Sequence, residues 1–175
     1  MGMARTQPVI MAAPDLLREV HFDDQMETKI AALLKRYPTK QAALLPVLWL
    51  CQDRWGWLSA GVLEAVANRL ELSPAFVEGV TTFYTMYHTK PTGKYLVQVC
   101  TTLSCQLCGA SGLAEHLKER LGIDFGETTP DGRFTLLGVQ CLGACGEGPV
   151  VQINNDYYTK LTVETLDQIL DELPE

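Results

Sequence analysis

The sequence predicts an α+β protein, an N-terminal four-helix domain followed by a two-layer α/β domain. Three observations carry that reading. Apolar residues recur at three- and four-residue spacing in four successive segments of the first half, each behind a residue suited to cap a helix. Two short apolar runs in the second half, residues 95 to 99 and 134 to 139, are each followed closely by a cysteine. Between them Pro91-Thr92-Gly93 breaks the pattern, dividing a helical domain over residues 15–91 from an α/β domain over 92–175. Residues 1–14 are expected to be a disordered tail.

Asp23 or Asp24 is placed to cap a first helix running to about Tyr37, because Met26, Ile30, Leu33, Leu34 and Tyr37 share one face. Pro38 ends it. Thr39 is expected to cap a second helix to about Arg54, with Pro46 either bending it or marking its true first turn. Cys51 on that helix is most simply core, and Gly56 stops it. Ser59 caps a third helix to about Leu70, and Ser73-Pro74 starts a fourth, since proline suits the first helical position. The aromatic run Phe83-Tyr84-Thr85-Met86-Tyr87 that follows reads as core or domain contact.

The second half opens on a buried strand at residues 95 to 99 that delivers Cys100. After four residues Cys105 stands at the start of a helix over residues 106 to 121, with Leu107, Leu113, Leu117 and Leu121 at helical spacing. On that helix Cys108 reads as a small buried hydrophobe. The N–H groups and dipole of the helix start would stabilise a thiolate or an anionic group at Cys105, and Gly122 closes the helix. The strand at residues 134 to 139 delivers Cys141 in the same way. Gly143 and Gly146 would let backbone approach sulfur closely. A strand at residues 150 to 153, a turn at Asn154-Asn155-Asp156 and Tyr157-Tyr158 form a hairpin. Thr162 caps a last helix bearing Val163, Leu166, Ile169, Leu170 and Leu173 on one face.

Five of the six cysteines fall in two bursts, Cys100, Cys105 and Cys108, then Cys141 and Cys145, with 32 residues between the bursts. Three chemistries compete for them. Cys105 and Cys108 form a Cys-x-x-Cys pair of the kind used by dithiol oxidoreductases, but that chemistry has no need of Cys100, Cys141 or Cys145. Two close pairs could hold a tetrahedral zinc and stabilise an interaction module. A 2Fe-2S cluster takes two thiolates on each iron, which Cys100 with Cys105 and Cys141 with Cys145 supply, and this reading is favoured. Cys100, Cys105 and Cys108 also match the plant-type ferredoxin spacing, which would leave one later cysteine spare.

The residues Val99-Cys100-Thr101-Thr102-Leu103-Ser104-Cys105, Thr129-Pro130-Asp131-Gly132 and Cys141-Leu142-Gly143-Ala144-Cys145 resemble the 24 kDa (E-type) subunit family of NADH:quinone oxidoreductase, respiratory complex I. The likeness extends to Gly56-Trp57-Leu58, to the run from Gly79 to Tyr87, to Pro91-Thr92-Gly93-Lys94 and to Val151-Gln152-Ile153-Asn154. It spans about residues 24 to 172. Cys108 departs from the family pattern. The resemblance implies a thioredoxin-like fold for the second domain and one 2Fe-2S cluster on Cys100, Cys105, Cys141 and Cys145. It further implies single-electron exchange with the flavin of a partner subunit that binds FMN and NADH, in the cytoplasmic peripheral arm of a bacterial membrane-bound complex. Related subunits serve NAD-linked hydrogenases and formate dehydrogenases, so these hosts are the alternatives.

Composition narrows the field further. The 175 residues carry a net charge of −7, and all of it lies in residues 93–175, where five cationic residues face twelve acidic ones. Such a surface keeps a protein soluble and speaks against nucleic acid, whose phosphates need a basic face. Four thiolates, two sulfides and two ferric ions sum to minus two, so this acidity would also disfavour reduction and set a low potential. No apolar run approaches the length of about 20 residues that spans a bilayer, so no direct membrane insertion is expected. Met1-Gly2-Met3-Ala4-Arg5-Thr6 fits the short N-myristoylation pattern, which is weak alone, and nothing resembles a secretory signal. A reducing compartment therefore fits the cysteines better than three disulfides. His21, His88 and His116 lack the spacing of a ligand set. There is no Gly-rich dinucleotide fingerprint and no nucleophile beside an evident base, so no independent turnover is expected from this chain.

Overall fold

The computed structural model describes residues 20–174. The expected tail over residues 1–14 and the acylation pattern lie outside them. The chain divides into two compact units between Pro91 and Thr92.

Among the described residues the first unit is built from α1 (Asp24–Arg36), α2 (Leu44–Trp55), α3 (Ala60–Leu70) and α4 (Pro74–Phe83). Three of the four start where a side-chain oxygen satisfies an otherwise orphaned N–H. Asp23, Ser59 and Ser73 accept from the backbone of Met26, Val62 and Phe76. In the second helix the expected Thr39 cap fails and the second alternative for Pro46 holds. Thr39 accepts from Ala42 N–H, but it caps only a turn, and α2 starts at Leu44 with Pro46 in its first turn, where the missing N–H costs nothing. Gly56 closes α2 at φ 80°. Ile30, Val47, Leu48, Cys51, Val62, Val66, Leu70 and Val77 fill the core between the helices.

The aromatic run after α4, read from the sequence as core or domain contact, is core only at Tyr87. Tyr87 is buried and its hydroxyl donates to Leu45 O at 2.8 Å, but Phe83 is 77% exposed and Tyr84 and Met86 are also exposed. The run is held instead through its backbone. Gln52, buried on α2, donates to Met86 O at 2.9 Å and accepts from His88 N–H at 2.7 Å.

The second unit is a four-stranded sheet in the order β2-β1-β3-β4, formed by β1 (Tyr95–Cys100), β2 (Phe134–Val139), β3 (Val151–Ile153) and β4 (Asp156–Tyr158). The strands β1 and β2 run parallel, and β3 is antiparallel to both β1 and β4. Val97, Val99, Leu136 and Val151 of the sheet pack with Leu113 and Leu117 of α6 (Ala110–Leu121) and Leu166 and Leu170 of α7 (Val163–Glu172). Thr162 and Thr165 cap α7 reciprocally, and Gly122 ends α6 at φ 67°.

The single helix expected over residues 106 to 121 is two helices. The short α5 (Leu103–Leu107) ends at Cys108, Gly109 turns the chain at φ 97°, and α6 starts afresh at Ala110. The left-handed glycine rotates the phase of the pattern. Leu107, expected on the buried face with Leu113 and Leu117, is therefore 80% exposed.

Candidate metal centre

Strand register brings the two cysteine bursts together. Cys100, the last residue of β1, lies opposite Val139, the last residue of the parallel strand β2. Both strands therefore leave the sheet at the same edge, and Cys141 follows two residues later. Val99 pairs with Val151 at the start of antiparallel β3, so the segment carrying Cys145 returns to that edge as well. A parallel pair flanked by an antiparallel strand is the arrangement that puts the end of β1, the end of β2 and the start of β3 side by side.

At this edge Cys100 and Cys105 are each 1% exposed and pack with Ala110 and Val150, with Leu142 and Ala144 alongside. Cys105 lies within α5, not at a helix start as expected, and α5 packs on the 3-10 turn Cys145–Glu147. Cys141 and Cys145 sit on the exposed side with their sulfurs 4.0 Å apart. Gly143, at φ 79°, donates its N–H to Cys141 Sγ at 3.4 Å, which is the close approach expected of it. Gly146 makes no such approach, and a Cβ there would meet nothing within 4 Å. Gly148, for which the sequence carried no signal, does: a Cβ there would stand 3.4 Å from Cys108 Sγ and 3.5 Å from Cys105 Cα.

The thiols feel one another. Burial pushes the Cys100 thiol up, but the Thr102 hydroxyl, the backbone N–H groups of Thr102 and Leu142, and the Cys105 thiol together bring it down to about 7. Burial, then the neighbouring Cys100, raise Cys105 to about 11, against a lowering contribution from the Val150 backbone. Cys145 is raised chiefly by its hydrogen bond with Cys141, and more weakly by Cys100. Cys145 adds to the rise at Cys105 and Cys100 to the rise at Cys145, so the two pairs lie near enough to sense each other's charge. Metal binding would remove the thiol protons outright.

No set of three or more His, Cys, Asp or Glu side chains among the described residues gathers tightly enough for a single metal ion. A zinc cage needs all four sulfurs about 3.8 Å apart, the edge of a tetrahedron of about 2.3 Å bonds. Two pairs, one buried and one exposed, fit a two-iron group better, because each iron takes one pair.

The remaining candidates fall elsewhere. Cys108 was expected to be buried and is exposed, because α5 has already ended there. Cys51 is fully buried in the helical core of the first unit, as expected. His116 meets Asp167 at 2.7 Å between α6 and α7, and His88 is held by Gln52 through its backbone. What the sequence did not single out is Thr102, whose Oγ1 lies 3.2 Å from Cys100 Sγ.

A mixed sheet that presents two cysteine pairs at one edge defines a thiol-based metal or redox protein on a thioredoxin-like frame. The sequence model of the thioredoxin-like 2Fe-2S ferredoxin family matches residues 30–174, and the chain belongs to that family. The E-type subunit 2 of the NADH-quinone oxidoreductase of Rhizobium meliloti is 44% identical over 146 residues, which cover 83% of this chain and 87% of the relative. The E-type subunit of the Rickettsia bellii NADH-quinone oxidoreductase is 44% identical over 155 residues, covering 87% and 93%. Among solved structures, an air-oxidized NAD+-reducing NiFe-hydrogenase superposes with a TM-score of 0.65 at 22% identity, over 74% of this chain and 22% of the hydrogenase chain, and so shares the fold.

Proposed function

We propose that this chain is the E-type subunit of an NADH-quinone oxidoreductase and carries electrons one at a time on a 2Fe-2S cluster. In this reading Cys100 and Cys105 hold one iron and Cys141 and Cys145 the other. The observation that carries it is the register of Cys100 opposite Val139, which sends both cysteine loops to one sheet edge. The likeness over most of the chain to relatives named for that complex favours it as host over the alternatives, an NAD-linked hydrogenase or formate dehydrogenase; for the hydrogenase the support is a shared fold alone.

When bound, the cluster supplies reversible storage of one electron, without substrate chemistry or proton transfer. The chain's own part is to fix its ligands and environment. Cys100 and Cys105 sit on the sheet end and on α5, so their spacing is set by packed elements. Ala110, Val150, Leu142 and Ala144 keep water from the inner pair, which strengthens every dipole aimed at it. The exposed pair, Cys141 and Cys145, gives the route by which an electron enters or leaves. A carrier with no nucleotide fingerprint needs a partner, and we assign that role to the flavin- and NADH-binding subunit, with FMN and NADH on that subunit. No helix among the described residues is long and apolar enough to cross a membrane. We assign the chain, with its partner, to the peripheral arm on the cytoplasmic side.

The test is anaerobic purification with iron and acid-labile sulfide assays and an absorption spectrum. The expected result is two irons and two sulfides per chain, with a reduced-state paramagnetic signal, and loss of all of these in Cys141→Ser. A colourless protein holding one zinc would overturn the reading.

A further inference from the structure

Among the described residues, hydroxyl side chains at the helix starts behave alike with one exception. Ser59, Ser73 and Thr162 each turn their oxygen onto a backbone N–H of the first helical turn. Thr102 stands at the same position before α5, with the extended backbone of a cap, φ −85° and ψ 163°, yet it makes no side-chain cap bond. Its Oγ1 lies 3.2 Å from Cys100 Sγ instead. The neighbouring Thr101 is anchored elsewhere, its hydroxyl donating to Val139 O at 2.9 Å.

We propose that Thr102 is a positioning residue for the electron-transfer centre, its hydroxyl donating to Cys100 Sγ and raising the reduction potential. The proposal rests on Cys100 being a ligand, as argued above. Between a free thiol and a hydroxyl either group can donate, but a metal-bound cysteine is a thiolate without a proton, so the hydroxyl must be the donor. A donor aimed at a ligand sulfur stabilises added negative charge, and the reduced state carries one electron more than the oxidised one. That electron comes from the partner's reduced flavin. No bond is made or broken at Cys100 or Thr102, and the hydroxyl keeps its proton throughout.

Apart from the Cys105 thiol, itself a ligand in this reading, the other donors near Cys100 are the backbone N–H groups of Thr102 and Leu142, which no substitution removes cleanly. Thr102 is thus the side-chain donor through which the sequence can adjust this sulfur. Its extended backbone suits a β-branched residue, so Thr102→Val deletes the hydroxyl at constant shape and gives up no helix cap.

Potentiometric titration of the iron-loaded chain tests this, with iron and sulfide content measured on each sample. Thr102→Val should keep its cluster and titrate at a lower midpoint, its reduction equilibrium weakened by a factor between about three and ten, where tenfold equals 59 mV for one electron. Thr102→Ser, which restores the hydroxyl, should return towards the wild-type midpoint. A Thr102→Val protein that keeps its iron at the wild-type midpoint, or that cannot keep its iron, overturns the assignment. Absence of iron and sulfide from the wild-type chain would instead defeat the cluster reading itself, before Thr102 is altered.

Discussion

Cys105 is 1% exposed, whereas Cys108, three residues further along, faces solvent beside Gly148. The two thiols of the Cys-x-x-Cys pair therefore look in different directions. Cys105 joins Cys100 in the apolar pocket at the sheet edge, and Cys108 caps the end of α5. This separation speaks against both the dithiol reading and the plant-type ligand set.

Cys108→Ser should leave iron and sulfide content at the wild-type value, and as an exposed substitution it should move stability by less than about 0.5 kcal/mol. Cys105→Ser should lose the cluster. If the chain were a dithiol oxidoreductase, both variants would lose insulin-reducing activity and neither would change colour, so paired metal and reductase assays separate the two chemistries.

The break between α5 and α6 makes a stability prediction. Leu117→Ala removes a fully buried side chain between α6 and the sheet and should cost about 2–5 kcal/mol. Leu107→Ala removes a side chain that is 80% exposed and should change stability by no more than about 0.5 kcal/mol. Urea denaturation of the two variants checks this. Comparable losses would mean that Leu107 packs with Leu117 on one continuous helix.

What was legible in the sequence follows from how local each cause is. Asp23, Ser59, Ser73 and Thr162 satisfy N–H groups three residues away, so the starts of α1, α3, α4 and α7 could be placed to within a residue. Thr39 makes the same kind of bond but closes only a turn, and the neighbouring signal for the later start was Pro46, which suits a first turn but equally suits a bend. The leucine spacing through Leu107, Leu113 and Leu117 runs unbroken across Gly109, whose positive φ a sequence does not display. At the site, paired cysteine spacing pointed to the two bursts. That they meet depends on the parallel pairing of β1 with β2, a contact across 39 residues between Cys100 and Val139. Thr102 was hidden for a related reason: Thr101 and Thr102 are alike on paper, and only the strand register sends one hydroxyl to Val139 O and the other to sulfur.

Gln52 joins α2 to the segment after α4 by two hydrogen bonds from one buried amide, to Met86 O and from His88 N–H. Gln52→Leu keeps the volume but leaves both backbone groups without their partner. The expected cost is about 2 kcal/mol, the low end of about 1–3 kcal/mol for each of two unsatisfied groups, because both hydrogen bonds are only part-buried. Hydrogen exchange should locate the loosening at residues 83 to 88, while amides of the second unit keep their protection. Unchanged exchange at His88 would show that Tyr87, whose hydroxyl holds Leu45 O, suffices to anchor the run.

The fully buried thiol of Cys51 gives a pH dependence at the alkaline end. Burial pushes it up to about 12, whereas an unfolded cysteine loses its proton near pH 8.5. Between those values the unfolded chain has released a proton that the folded chain still holds, so the folded state binds more protons and stability must fall as pH rises. Below about pH 8 both states are protonated and Cys51 contributes no slope. Above about pH 9 the loss from this group approaches 1.4 kcal/mol per pH unit, until the folded thiol itself ionises. Cys51→Ala removes the titration but also leaves a small cavity, so the informative quantity is the slope of stability against pH, not its value at one pH. Urea denaturation in reducing buffer at pH 7, 9 and 10 should show a wild-type decline that exceeds the variant's by about 1 kcal/mol per unit above pH 9. Equal slopes would mean that the helical core admits water to Cys51 and that its thiol ionises as freely in the folded chain as in the unfolded one.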